Sequence, residues 1–180
     1  MNKEVFIING QNSAGKDTFV AYVASKLQYP SVINFSSVDK IKDIARIIGW
    51  DGTKTERNRK FLSDLKVLCS EYNDMPFNSM KDIVNEFYRF TFYRMLFLHI
   101  REPEEIERAK NEFNAKTILV VRDSVEQVTS NIADKNVFNY DYDIIIDNNG
   151  TLKDLSNKAT DFVNDFIISS YINNSFKKRY

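Results

Sequence analysis

The residues of this chain best suited to chemistry run Gly10-Gln11-Asn12-Ser13-Ala14-Gly15-Lys16-Asp17-Thr18. Two glycines five positions apart, followed at once by a lysine, let a backbone curl so that successive N–H groups face one anion. A helix opening at Gly15 would turn its positive end on the same anion. Lys16 would place a cation on the β and γ phosphates of a nucleoside triphosphate, as in the spacing G-x-x-x-x-G-K. That spacing ordinarily continues with Ser or Thr as a magnesium ligand, whereas here Asp17 follows the lysine and Thr18 comes next. A carboxylate beside a triphosphate is repelled unless a cation lies between them. Asp17 is therefore a candidate ligand for Mg2+, directly or through a water, and the Thr18 hydroxyl is another. The sequence leaves open which of them serves, and also whether Asp17 only makes local hydrogen bonds at the helix start.

The elements around this loop are those that could position it. Val5–Asn9 is a short apolar run, as in a strand buried on both faces. Phe19, Val20, Val23, Ala24 and Leu27 follow the loop at helical spacing, and Tyr29-Pro30 ends that helix. Further strands are expected over 31–35, 94–100, 117–121 and 143–147. Ser36 with Asp39 caps a helix running to about Ile48. Thr53 with Glu56 caps a second, with Phe61, Leu62, Leu65, Val67 and Leu68 as its apolar stripe. Residues 73–76 (Asn-Asp-Met-Pro) break it, and a third helix covers 79–90. Pro103 opens a fourth. Thr151 and Asp154 cap the last, with Phe162, Val163, Phe166 and Ile167 on its buried side. Strands alternating with helices predict an α/β fold of three layers, a parallel five-stranded sheet with helices on both faces. Ligands of such sheets bind beyond the carboxyl ends of the strands, which singles out the loops after residues 9, 35, 100, 121 and 147.

Composition sets the outer bounds. The chain has 180 residues, with 25 Lys+Arg balanced by 25 Asp+Glu. The length suits one domain. Zero net charge argues against a nucleic-acid polymer as partner. The single cysteine, Cys69, excludes an intramolecular disulfide framework and favours a reducing compartment. No apolar run approaches the roughly 20 residues of a membrane span, and the N-terminus lacks a signal peptide's pattern, so a soluble cytoplasmic protein is expected. A homodimer is compatible with all of this.

The loop ending Gly15-Lys16-Asp17-Thr18 resembles that of bacteriophage-type deoxynucleoside monophosphate kinases, and animal-type phosphomevalonate kinases have a similar Gly-Lys-Asp ending. Both lie in the nucleoside monophosphate kinase branch of the P-loop NTPases. Residues 49–52 (Gly-Trp-Asp-Gly) and 59–66 look like the segment after the second strand in phage and prophage members. The resemblance implies one kinase domain over 1–180, an acceptor-binding helical lobe at about 37–92 and a short lid at about 122–139. It implies ATP and Mg2+ as partners and a small monophosphate, such as a deoxynucleoside monophosphate, as acceptor.

Residues 54–66 carry Lys54, Arg57, Arg59, Lys60 and Lys66 against Glu56 and Asp64. Such a stretch suits either a solvated helix face or an acceptor phosphate, whose oxygens a guanidinium fits in bidentate fashion. Lys42 and Arg46 are further cations nearby. Asp39 could bond a ribose hydroxyl or a magnesium-bound water, or act only as a cap. By resemblance Arg101, after the third strand, grips the acceptor phosphate, and Arg122 closes over the transferring group with the lid, whose other cation is Lys135. Glu102 is read as a helix N-terminal acid in preference to a Walker-B-like role. His99, the single histidine, is read as a core residue with a hydrogen-bond partner. By resemblance the backbone at Asn148 and Asn149 contacts adenine. Asp147-Asn148-Asn149-Gly150 also spells a GTPase switch by letter, but the companion Asn-Lys-x-Asp is missing at 157–160, so a GTPase is excluded. The alternatives to a deoxynucleotide kinase are a kinase of another small phosphate, such as dephospho-coenzyme A or phosphomevalonate, and a nucleotide-binding regulator without turnover.

Overall fold

The computed structural model describes residues 3–27, 31–123 and 136–177. Five strands form one parallel sheet: β1 (Glu4–Asn9), β2 (Val32–Ser36), β3 (Met95–His99), β4 (Lys116–Val121) and β5 (Ile144–Asp147). Their order across the sheet is β2-β3-β1-β4-β5. The helices are α1 (Lys16–Lys26), α2 (Asp39–Ile47), α3 (Glu56–Asn73), α4 (Met75–Arg89), α5 (Pro103–Phe113) and α6 (Leu152–Lys177), with a 3-10 turn at Asn136–Phe138. This is the three-layer α/β arrangement expected from the sequence.

Alternation along β1 explains the layering, because successive side chains of a strand point to opposite faces. Phe6 and Ile8 join Met95, Phe97, Ile118 and Val120 under α1 and α6, which contribute Phe19, Val20, Val23, Leu155, Ala159 and Val163. Val5 and Ile7 join Leu96, Leu98 and Ile100 on the other face, under α4 and α5, with Phe77, Met80, Phe87, Ile106 and Phe113. Both faces of β1 are therefore dry, as its unbroken apolar run requires. The aromatic rings interlock across the first layer, with Phe6 and Phe97 stacked at 5.3 Å and Phe19 edge-on to Phe162 at 5.5 Å.

Several local expectations are corrected. The second capping threonine is Thr55, whose hydroxyl accepts from the Asn58 N–H at 3.2 Å. Thr53 is instead held by Asp51 Oδ1, which accepts from its N–H at 2.9 Å and its hydroxyl at 2.7 Å. On α3 the half-buried seam runs through Phe61, Leu62, Leu65, Lys66, Cys69 and Ser70, while Val67 and Leu68 are exposed. Lys66 enters the seam by pairing with Glu105 at 2.7 Å, which ties α3 to the first turn of α5. The break at 73–76 is a single residue, Asp74, left-handed at φ 54° and shared by the end of α3 and the start of α4. Met75-Pro76 then begins α4 directly, four residues earlier than predicted, because proline is tolerated in a first turn. Ile167 of α6 is exposed. The expected pairing of Thr151 with Asp154 is present, each receiving the other's N–H at 3.2 Å and 2.8 Å. The first helix's Tyr29-Pro30 stop and most of the lid, with Lys135, lie outside the described residues.

Candidate active site

The loop between β1 and α1 sits at the carboxyl edge of the sheet, on its central strand. Its shape depends on backbone conformations that side chains resist. Gly10 has φ +147°, and a Cβ there would lie 2.4 Å from the Val120 carbonyl oxygen. Gly15 has φ +97°, and a Cβ there would meet the Asn148 side-chain nitrogen at 2.4 Å. Between them Ser13 is left-handed at φ 63°, and the Ala14 N–H donates to the Gln11 carbonyl at 3.2 Å. Gly15 offers no side chain to cap α1, so the first-turn N–H groups suit an anionic ligand.

Two buried asparagines anchor this loop, and sequence reasoning assigned neither of them that task. Asn9, fully buried at the end of β1, accepts the Gly10 N–H at 2.8 Å. Its amide donates to the Arg101 carbonyl at 3.1 Å and the Tyr142 hydroxyl at 2.7 Å. Tyr142 in turn donates to the Val137 carbonyl, and burial pushes its phenol up to about 12. Asn148, 6% exposed, donates to the Ala14 carbonyl at 2.8 Å, and its own N–H donates to Val121. The available signal was a polar residue closing each apolar strand, directly before or near a glycine.

Lys16 folds back into the loop, donating to the Gly10 and Gln11 carbonyls at 2.6 and 2.8 Å. Asp17 projects outward with a side chain 86% exposed, and Thr18 is half-buried beside it. His99, at the end of β3, is 13% exposed and has its Nε2 2.6 Å from Asn34 Oδ1 and 3.7 Å from Asp17 Oδ1. Burial pushes the imidazole down to about 4; Asp17 and Asp39 oppose that shift while Lys16 and Lys42 add to it. The ring is therefore neutral at neutral pH. Its role as a partnered histidine agrees with the sequence, but its place is the mouth of the loop.

The structure thus gathers Lys16, Asp17, Asp39, Lys42 and His99 at one edge. Asp39 accepts the Ser36 N–H at 2.9 Å and pairs with Lys42 at 2.9 Å. Arg46 pairs with Asp43 and lies over the Trp50 ring. Arg57 and Arg59 are exposed on the first turn of α3, and Lys60 pairs with Asp64 on the same helix. Arg101 is half-buried two residues beyond His99, after the buried Ile100. Glu102 stands at the N-cap of α5, the helix-start position expected for it. Arg122 is exposed just beyond β4. Asn149 bridges the loops after β4 and β5, accepting the Asp123 N–H at 2.7 Å and donating to Asp123 and Asp147.

A parallel sheet of order 2-3-1-4-5, with a glycine-rich loop from its central strand into a helix headed by Lys16, decides the architecture. This is a P-loop NTPase fold of the kinase-like kind. Solved structures agree. TT1252 from Thermus thermophilus superposes with a TM-score of 0.54 at 16% identity, covering 92% of this chain and 98% of that one. The tunicamycin resistance protein of Deinococcus radiodurans gives 0.55 at 11% identity, covering 90% and 96%. No protein-family model and no curated protein matches the chain.

The P-loop residues also fit the cation that accompanies a nucleotide. Asp17 and Thr18 are consecutive first-turn residues bearing oxygen ligands, the donor type that Mg2+ requires. Among the described residues no group of three His, Cys, Asp or Glu side chains could hold a metal ion alone. No helix among the described residues is long and apolar enough to cross a membrane.

Proposed function

We propose that the protein transfers the γ-phosphoryl group of ATP to a small monophosphate, with a deoxynucleoside monophosphate as the preferred acceptor and its diphosphate as product. The observation that carries this reading is Lys16 at the throat of a braced P-loop, on the central strand of a sheet in the order 2-3-1-4-5. The phosphates of ATP occupy the loop over Gly10, Asn12, Ser13, Ala14, Gly15, Lys16, Asp17 and Thr18. In that pose Lys16 leaves the Gly10 and Gln11 carbonyls for the β and γ phosphates. Magnesium, held by Asp17 or Thr18, would neutralise phosphate charge when bound. The backbone at Asn148 and Asn149 lies against the adenine.

The acceptor phosphate is assigned to the opposite side of the edge, near Asp39 and Lys42, with Arg57 and Arg59 from the α3 side and Arg101 from the β3 loop. The acceptor oxygen attacks in line, and Lys16 and Arg122 stabilise the charge on the transferring group. An acceptor phosphate is already largely ionised at neutral pH, so a buried neutral His99 is consistent with a reaction that needs no strong base. Segment 37–92 is assigned as the acceptor lobe and 122–139 as the lid that excludes water.

Asp17 in place of the usual hydroxyl favours one second reading, a nucleotide-binding regulator without turnover. Incubation with Mg-ATP and a panel of deoxynucleoside monophosphates, dephospho-coenzyme A and phosphomevalonate, followed by 31P NMR of the products, separates these readings. Phosphorylation of a deoxynucleotide is expected. Phosphorylation of another acceptor alone would overturn the preferred substrate class, and ATP binding without any product would establish the regulator.

A further inference from the structure

His99, Asn34 and Asp17 come from three elements, β3, β2 and α1, and meet at one point beside the P-loop. His99 Nε2 lies 2.6 Å from Asn34 Oδ1 and 3.7 Å from Asp17 Oδ1. The register explains the first contact: Ser36 pairs with His99, and Asn34, two residues earlier, shares its face of the sheet. The second arises because α1 starts over that face, with Asp17 in its first turn.

In P-loop NTPases the nucleotide's metal is usually held by the hydroxyl after the loop lysine and by a carboxylate on a neighbouring strand. Here the carboxylate, Asp17, follows the lysine, and the strand beside β1 ends in an imidazole. Adjacent ligand atoms on an octahedral ion with bonds of about 2.1 Å lie about 3 Å apart. The two separations around His99 Nε2 bracket that value, and Asp17 is exposed and free of packing that would stop it swinging in.

The geometry points to a mixed nitrogen–oxygen cation site in which His99 Nε2 and Asn34 Oδ1 join Asp17 Oδ1 on a transition ion that takes the place of Mg2+ in the nucleotide complex, with phosphate oxygens completing the shell. Such a donor set selects a first-row transition ion, Mn2+ or Co2+, over Mg2+, because imidazole is a poor ligand for the hardest cations. Ligation through Nε2 leaves the single imidazole proton on Nδ1, so the Nε2–H donated to Asn34 gives way to the metal. This inference rests on the nucleotide-binding reading, since the phosphates supply the remaining ligands.

The test is pulsed electron paramagnetic resonance on the full chain with Mn2+ and a non-hydrolysable ATP analogue, beside an Mn2+ titration of the same complex. The wild-type complex should show 14N modulation from a directly bound imidazole. His99→Gln should lose that modulation and weaken Mn2+ roughly tenfold, with little change in Mg2+ affinity. Asn34→Ala should keep the modulation while weakening Mn2+ less. If the analogue binds but the wild type shows no nitrogen coupling, the mixed site is refuted and nucleotide binding stands. If the analogue does not bind with either metal, the nucleotide reading and this site both fall. The wild-type measurement decides the matter even if His99→Gln does not fold.

Discussion

Replacing Asn148 by alanine probes whether the P-loop is held from outside by the strand opposite. Asn148 is 6% exposed, and its amide donates at 2.8 Å to the carbonyl of Ala14, a residue with no solvent exposure. Deleting the amide leaves that carbonyl without this partner. A buried acceptor stripped of its donor costs about 1–3 kcal/mol. For a chain of this size each kcal/mol lowers Tm by about 2–4 °C, so Asn148→Ala should melt about 2–12 °C below wild type. Asn148→Asp should be worse, because a carboxylate oxygen would face the Ala14 carbonyl. The loop should also lose its fixed shape, weakening ATP about tenfold, or about 1.4 kcal/mol. Asn148 is also assigned near adenine, so inorganic tripolyphosphate, which has no base, separates the two effects. A loss of similar size for tripolyphosphate and ATP supports the brace. A variant that melts within about 1 °C of wild type and binds tripolyphosphate unchanged would refute it.

Three further outcomes follow from the same geometry. Gly10→Ala should cost at least about 2 kcal/mol and abolish nucleotide binding, since its Cβ would sit 2.4 Å from the Val120 carbonyl at a strained φ; urea denaturation and calorimetric titration check this. Partial burial of Asp143 raises its carboxyl, but the Thr117 N–H, Lys110 and the Thr117 hydroxyl together hold it below the usual range. A depressed folded pKa stabilises above the unfolded value near 4 and is lost as pH falls through the folded one, so Asp143→Asn should lower stability at pH 7 and flatten the acid limb of a stability–pH curve. Arg59→Ala should raise KM for the acceptor monophosphate about tenfold with KM for ATP unchanged, as steady-state kinetics with each substrate varied would show.

Much of this was legible in the sequence because the signals were local. The run Val5–Asn9 declared a strand dry on both faces, and the glycine spacing before Lys16 declared a tight loop leading into a helix. What was missed depended on contacts across the fold. Asn9 and Asn148 look like strand-ending polar residues until the sheet assembles and brings the Arg101 carbonyl to Asn9 and the Ala14 carbonyl of the loop to Asn148. Thr53 and Thr55 both precede a helix, and only the turn built on Asp51 decides which becomes the cap. On α3 the apolar letters at 67 and 68 suggested a buried face, but the seam is turned by Lys66 reaching Glu105. His99 was correctly read as partnered, yet its position at the mouth of the loop follows from strand register, which one sequence does not print.

The central claim is that Lys16 and its loop drive phosphoryl transfer from ATP, and the most direct measurement is single-turnover transfer of a labelled γ-phosphate. Wild type, with Mg-ATP and a deoxynucleoside monophosphate, should place the label on the acceptor as a diphosphate. Lys16→Ala, with an unchanged circular dichroism spectrum, should lose at least about two orders of magnitude in that rate, or about 2.7 kcal/mol of transition-state stabilisation. Transfer by Lys16→Ala at the wild-type rate would contradict the account, as would ATP binding by wild type with no label reaching any acceptor.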